Sequence, residues 1–167
     1  MADKEEHVIR LSIVTPYKKF FENDVSSVVI NTIDGQLGFM PGHPPLIVAL
    51  RPGVSHFVMG NETKYFTLSE GYCEVSDDKI MILCNAAEFP DDLNPRRICR
   101  SYSESMASIK KAREIEDRTA REVLVGEYEQ AIDRARARRH LIEQYGTVHQ
   151  KERIADLVKE YGWTDTF

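Results

Sequence analysis

Between Ile33 and Gly53 the chain reads IDGQLGFMPGHPPLIVALRPG, and these 21 residues hold four glycines and four prolines. Glycine admits positive φ, whereas proline fixes φ and removes a backbone donor. The stretch must therefore turn, run briefly extended, turn again and enter a buried strand at Leu46. Its rigid turns expose Met40 and Pro41 beside His43. An apolar loop on a stiff frame suits a docking surface better than a reaction centre. The plainer alternative is a tight β-crossover with no role beyond connection.

The flanking sequence reads as β-structure. Residues 7–14 (HVIRLSIV) alternate apolar and polar, and Thr15-Pro16 ends that run because a residue preceding proline is held extended. Phe20-Phe21 follows, then Glu22-Asn23-Asp24 as a turn, then a strand over Val25 to Asn31. Asp34-Gly35 is a strong turn signal. Beyond Gly53, strands are expected over Val54 to Met59, Lys64 to Leu68, Gly71 to Val75 and Lys79 to Cys84. Gly60-Asn61 and Asp77-Asp78 supply the turns between them. Eight or nine short strands with turns every ~8–12 residues describe a sandwich or barrel. A wholly β unit of this size has to cover its edges by closing on itself or stacking two sheets.

The texture changes after Ala86-Ala87-Glu88. Pro90 and Asp91-Asp92 read as a hinge. Between Pro95 and Tyr145 there is no proline, and Gly126 is the only glycine. Asn94 and Pro95 suit the N-cap and first position of a helix whose stripe is Ile98, Tyr102, Met106, Ile109 and Ala112. Thr119-Ala120-Arg121-Glu122 carries a capping-box pattern and predicts the start of a second helix, after a turn near 113–117. Its stripe is Ala120, Leu124, Tyr128, Ala131, Ala135, Ile142 and Tyr145. Two stripes this narrow are expected to face each other as an antiparallel hairpin. Gly146 fits a C′ position, and Thr147 with Gln150 predicts the capped start of a third helix with Val148, Ile154, Leu157, Val158 and Tyr161 on its apolar side. Gly162 ends it, and WTDTF is expected as a loose tail, the alternative being that Trp163 and Phe167 pack somewhere.

Composition narrows the function. The 167 residues are 42% hydrophobic with a formal net charge of −5, enough for one or two small domains. Residues 1–88 carry 7 basic and 12 acidic side chains, while residues 89–167 carry 15 of each. An acidic first half argues against nucleic acid or anionic lipid as its partner. Cys73, Cys84 and Cys99 show neither CxxC nor Cys/His spacing, which suits reduced thiols in a cytosol-like compartment and no zinc. No run of 18 apolar residues occurs, and MADKEEHVIR is charged, so membrane association is expected only through a partner.

Several residues together resemble one family. They are Val14-Thr15-Pro16, Phe21, Asp34-Gly35, Gly38, Pro41-Gly42-His43-Pro44-Pro45-Leu46, Gly53, Glu70-Gly71-Tyr72-Cys73-Glu74-Val75 and Ala86-Ala87-Glu88. In this order and spacing the chain resembles the epsilon subunit of bacterial and chloroplast F-type ATP synthases, whose mitochondrial counterpart is called delta. The match covers the β part; the helical part is similar in layout only.

The resemblance implies an all-β N-terminal sandwich of about ten strands over residues 1–88. An α-helical hairpin with an extra short C-terminal helix would follow over residues 89–167. It implies a non-catalytic subunit of the central rotor stalk in a proton- or sodium-translocating motor. The sandwich would hold the gamma subunit and the ring of c subunits, with Met40, Pro41, Gly42, His43 and Pro44 at the c-ring contact. The protein would lie at the cytoplasmic face of an energy-transducing membrane. A folded-down hairpin would permit turnover, and an extended one would reach the catalytic alpha and beta subunits and block ATP hydrolysis. Arg134, Arg136, Arg138 and Arg139 would then meet acidic residues there, unless they merely coat a solvated helix.

Some relatives bind regulatory ATP through Ile or Leu, Asp, two variable residues, Arg and Ala. The corresponding run here is Leu93 to Ile98, in which Leu93 and Arg97 match, and Glu88 matches an upstream acid. Asn94 replaces the carboxylate and Ile98 the small residue, so Asn94 and Arg97 read equally as a helix cap and a surface charge. No other cofactor is implied.

Two other classes fit less well. An enzyme would need a nucleophile–base constellation, and none accompanies Glu70, Glu74, Asp77 and Asp78. A free-standing β-sandwich adaptor with a helical dimerisation tail would show a long heptad repeat, which is missing.

Overall fold

The computed structural model describes residues 7–77 and 79–164, and its chain divides into two compact units at Glu88/Phe89. The first holds ten strands among the described residues. They are β1 (Ile9–Val14), β2 (Lys19–Val25), β3 (Ser27–Thr32), β4 (Gly35–Phe39), β5 (Leu46–Leu50), β6 (Gly53–Met59), β7 (Glu62–Leu68), β8 (Gly71–Ser76), β9 (Lys79–Cys84) and β10 (Ala87–Glu88).

Their hydrogen-bonded order is β10-β7-β6-β3-β5-β8-β9-β1-β2, with β4 on β3. The pairings are antiparallel except β1 with β9, which are parallel. Alternation sets the inside face: Ile9, Leu11 and Ile13 of β1 and Ile80 and Ile82 of β9 are fully buried, while their neighbours point outward. The sheet folds over so that its two ends meet. Phe21 of β2 lies 4.2 Å, ring centre to ring centre, from Phe57 of β6, and Phe20 lies 6.2 Å from Phe66 of β7. That contact makes the expected sandwich.

Two expectations about strands are corrected. Glu22-Asn23-Asp24 is not a turn but the middle of β2, paired with Ser12, Leu11 and Arg10. Its charges are neutralised locally, Lys19 with Glu22 at 2.6 Å and Arg10 with Asp24 at 3.1 Å. A charged strand belongs at a sheet edge, where it discourages pairing with another chain. The corner comes at Ser26, whose N–H donates to Val58 O at 2.8 Å as the chain leaves β1 for β6. The second correction is β5. It was expected to be buried, yet only Leu50 is, and Ile47 is 69% exposed. Of the expected Asp77-Asp78 turn, Asp78 lies outside the described residues and Asp77 has φ 46°.

The second unit opens with a short 3-10 turn, Pro90–Asp92. Asp92 Oδ2 accepts the Phe89 N–H at 3.1 Å, and the Leu93 N–H donates to Pro90 O at 3.1 Å. Three helices follow: α1 (Pro95–Ala112), α2 (Arg118–Tyr145) and α3 (Val148–Glu160). Asn94 caps α1 as expected, its Oδ1 accepting the Arg97 N–H at 3.1 Å.

The start of α2 is corrected. Asp117, not Thr119, is the N-cap, with its carboxylate accepting the Ala120 N–H at 2.7 Å. The cap residue offered two positions earlier is used, and Glu122 pairs with Arg118 at 2.8 Å instead of closing a box. The α2 stripe is also corrected. Ile132, Ala135, Ala137, Leu141 and Ile142 are buried, whereas Ala120, Leu124 and Tyr128 are not and Tyr145 is 43% exposed. Outside the buried stripes elsewhere, Met106 of α1 and Val148 of α3 are exposed. Gly146 stops α2 in an extended conformation, φ −72°, rather than the left-handed one of a typical C′ glycine. It is needed because a Cβ there would sit 2.6 Å from Ile142 O. Thr147 and Gln150 form the expected capping box of α3.

Gly71 is the glycine of the sandwich pressed hardest against neighbouring backbone. A Cβ there would sit 2.0 Å from Leu83 O and 2.7 Å from Cys84 Cα, both backbone atoms that cannot swing aside. Gly71→Ala should lower unfolding free energy by about 2–3 kcal/mol through forced strand displacement. Gly126→Ala, in mid-helix with open space around it, should raise it by about 1 kcal/mol. Urea unfolding of the full chain measures both signs.

Candidate functional site

The loop between β4 and β5 is built from its turn. The His43 N–H donates to Met40 O at 3.2 Å, with Pro41 at the second position and Gly42 at φ 81° in the third. Proline followed by a positive-φ glycine is what a type II turn requires. Phe39 anchors the turn at full burial, and the His43 ring stands edge-on to it at 4.8 Å. His43 Nδ1 lies 2.8 Å from Pro44 O, so the histidine braces its own loop. Met40, 66% exposed, projects from this frame.

A second surface escaped the sequence reading. On the outward side of β5, β8 and β9 the register lines up Ile47, Glu74 and Met81 in one rung and Ala49, Tyr72 and Leu83 in the next. Ile47, Tyr72, Met81 and Leu83 are all substantially exposed. Beside them lies an open groove of about 580 Å³ walled by Pro16, Ala49, Tyr72 and Leu83. Glu70 lines it too, held by the Asn85 amide N–H donating to Oε1 at 2.9 Å. The signal was available in LIVAL and KIMILC. A strand whose outward positions are also apolar is covered on both faces by its own fold or waits for a partner.

The residues considered for ATP fall as follows. Glu88 ends the two-residue β10, its carbonyl accepting from the Thr67 hydroxyl at 3.5 Å. Asn94 already spends its side-chain oxygen on the α1 cap, and Arg97 is exposed on the first turn of that helix. Arg134, Arg136, Arg138 and Arg139 of α2 are not one patch. Arg136 pairs with Asp133 at 3.1 Å, and Arg139 pairs with Glu143 at 2.7 Å. Arg134 and Arg138 share a face of α2, one turn apart.

Among the described residues no three His, Cys, Asp or Glu side chains gather in metal-binding geometry. Burial pushes the Cys73 thiol up to about 12, with the Glu74 charge adding to it, and burial pushes Cys84 and Cys99 up to about 11. Thiols held protonated are not nucleophiles. No helix among the described residues is long and apolar enough to cross a membrane. The first unit is thus a sandwich with an apolar outward face and a projecting loop, joined in sequence to a helical unit.

Comparisons with known proteins agree. Residues 8–90 match the family model for the ATP synthase delta/epsilon chain beta-sandwich domain. The ATP synthase epsilon chain of Alkalihalophilus pseudofirmus is 37% identical over 99 residues, 58% of this chain and 74% of the relative. That of Rippkaea orientalis is 32% identical over 130 residues, 78% of this chain and 93% of the relative. A chain in the cryo-electron-microscopy structure of Euglena gracilis mitochondrial ATP synthase shares the fold with TM-score 0.63. It is 18% identical, and the likeness covers 86% of this chain and 84% of that one. The chain belongs to the ATP synthase epsilon chain family, and it is a non-catalytic subunit.

The raised thiols have a pH consequence. In the unfolded chain they ionise near 9.0, while the folded chain keeps its protons toward 11 or 12. Above pH 9 the unfolded state binds fewer protons, so stability should fall as pH rises through that window. At pH 8 a thiol reagent should modify the native protein at least ~100-fold more slowly than the unfolded chain, in which three thiols react. Fast labelling of native protein would refute the buried, protonated state.

Proposed function

We propose that the sandwich is a two-contact coupling in the central stalk of a rotary ATP synthase. The outward face of β5, β8 and β9 grips the gamma subunit, and the Met40–Pro44 loop meets the c-ring. The complex then lies at the cytoplasmic face of the energy-transducing membrane, held there by its partners. One observation carries this reading: Ile47, Tyr72, Met81 and Leu83 form an apolar outward patch on a sheet whose opposite face is already a filled core. Clustered exposed apolar side chains mark protein–protein contacts, and aromatic residues dominate their energy.

The helical unit supplies regulation in this reading. Helix α2 is 28 residues, about 42 Å long. Its first half, Arg118–Gln130, has no buried residue. Arg134 and Arg138 on one face provide charges for acidic surfaces of the alpha and beta subunits. In the inhibitory posture these contacts block ATP hydrolysis.

Met40→Asp and Tyr72→Glu should each weaken association with gamma and the c-ring at least tenfold in copurification. The circular dichroism of the isolated protein should stay unchanged, since both side chains are exposed. Full retention of both partners by the double variant would overturn the docking reading. Separately, reversing Arg134 and Arg138 to Glu should raise ATP hydrolysis by the assembled complex at least twofold. An unchanged rate would remove the inhibitory role and leave the coupling role standing.

A further inference from the structure

Helix α3 straps the root of the helical unit at both of its ends. At the N-terminal end, Gln150 closes the cap with Thr147, its Oε1 accepting the Thr147 N–H at 3.0 Å. The same side chain donates through Nε2 to Pro90 O at 2.8 Å and Leu93 O at 3.2 Å. One amide thus ties α3 to the turn that leads into α1. At the other end the chain reverses at Gly162, with the Trp163 N–H reaching Val158 O at 2.9 Å and the Gly162 N–H reaching Lys159 O at 3.1 Å. This Schellman closure turns Trp163 inward. The expected loose tail is corrected at its first residue: Trp163 is 3% exposed and stacks on Tyr102 of α1 at 3.8 Å and 6°. The Arg139 guanidinium of α2 lies 5.0 Å from the indole centre. Phe167, the other tail aromatic, lies outside the described residues.

The strap is local. The C-terminal turns of α2 hold Leu141 and Ile142 at full burial at this root. Ile154 and Leu157 of α3 are equally buried, and α3 touches both α1 and α2. The first half of α2, by contrast, has no buried side chain from Arg118 to Gln130. The stack also carries a built-in weakness. Among the described residues the buried indole N–H has no hydrogen-bond partner, and water would supply one on release.

We propose that α3 with Trp163 is an intramolecular latch. It must release before α1 and α2 can separate at their root, so it sets the posture of the helical pair. The effect on turnover rests on the reading that these helices control hydrolysis; the latch itself does not.

The test is hydrogen exchange on the full chain, comparing wild type, Gln150→Ala with Trp163→Ala, and Trp163→Phe. In the double variant, amides of residues 98–102 and 139–145 should exchange at least tenfold faster, with residues 118–130 unchanged. Trp163→Phe keeps a ring on Tyr102 and should retain most of the protection. Uniform acceleration across the unit would reduce α3 to ordinary core, and no acceleration would show that it holds nothing; either overturns the latch. In the assembled complex the double variant should hydrolyse ATP at least twofold more slowly, because the freed helices reach the inhibitory posture more often. Selective root opening with unchanged hydrolysis keeps the latch and overturns the inhibitory reading, so the two fail separately.

Discussion

Everything in the first unit depends on the closure of one long sheet upon itself. The strand path runs from β10 to β2 without closing through hydrogen bonds, so side chains have to join its ends. The phenyl rings of Phe20, Phe21, Phe57 and Phe66 do this across the sandwich. Ring pairs at such distances contribute roughly 0.5–1.5 kcal/mol each beyond the area they bury. The closure leaves each strand one dry face and one outward face. It also fixes where the outward apolar residues sit relative to the Met40 loop, because both are carried on the same hydrogen-bonded frame.

The two units obey different packing rules. In the sandwich nearly every strand has neighbours along its length, and alternation fills a continuous core. In the helical unit α1 has buried residues from Ile98 to Ala112, whereas burial along α2 is graded: dense from Ile132 to Ile142 and absent from Arg118 to Gln130. That first half of α2 has little apolar surface to bury, so its stability comes from its cap, i,i+4 pairs such as Arg118 with Glu122, and intrinsic propensity. Low local stability is where conformational change concentrates. A latch at the root and a sparsely packed first half of α2 are therefore complementary features.

Much of this was legible in the residues. Strands β1 and β9, the β6–β7 hairpin, the Asn94 cap and the Thr147–Gln150 box each rest on a local rule that tertiary packing did not override. The failures also have physical causes. Glu22-Asn23-Asp24 looks like a turn because those side chains favour turns, but pairing with β1 and salt bridges to Lys19 and Arg10 make an edge strand of it. Thr119 was a sound cap candidate that lost to Asp117, since a helix starts at the first competent cap. The Met40–Pro44 loop was readable because glycine and proline declare backbone geometry. The outward patch was not, because an apolar run reads the same whether its own core or another subunit covers it. Trp163 was equally opaque: stacking on Tyr102 depends on a helix reversal that one glycine permits without naming its target.

Magnitudes decide why the proposed coupling needs two contacts on one rigid body. Burying a large apolar side chain contributes about 1.5–3 kcal/mol. Four roughly half-exposed residues on the β5–β8–β9 face therefore give about 3–7 kcal/mol gross. Association costs about 4–15 kcal/mol in lost freedom and ordering before any net affinity appears. That face alone leaves little surplus, and the Met40 loop, with one large apolar side chain, has less. Joined on an unyielding frame, the second contact forms at an effective concentration set by geometry instead of bulk diffusion. The gain vanishes if the frame bends, because the second site then misses its partner. Stiffness in the sandwich is thus a condition of binding as well as of force transfer. The same condition accounts for a glycine wedged against the β9 backbone: Gly71 lets β8 and β9 approach more closely than any side chain would allow, beneath the face that has to hold.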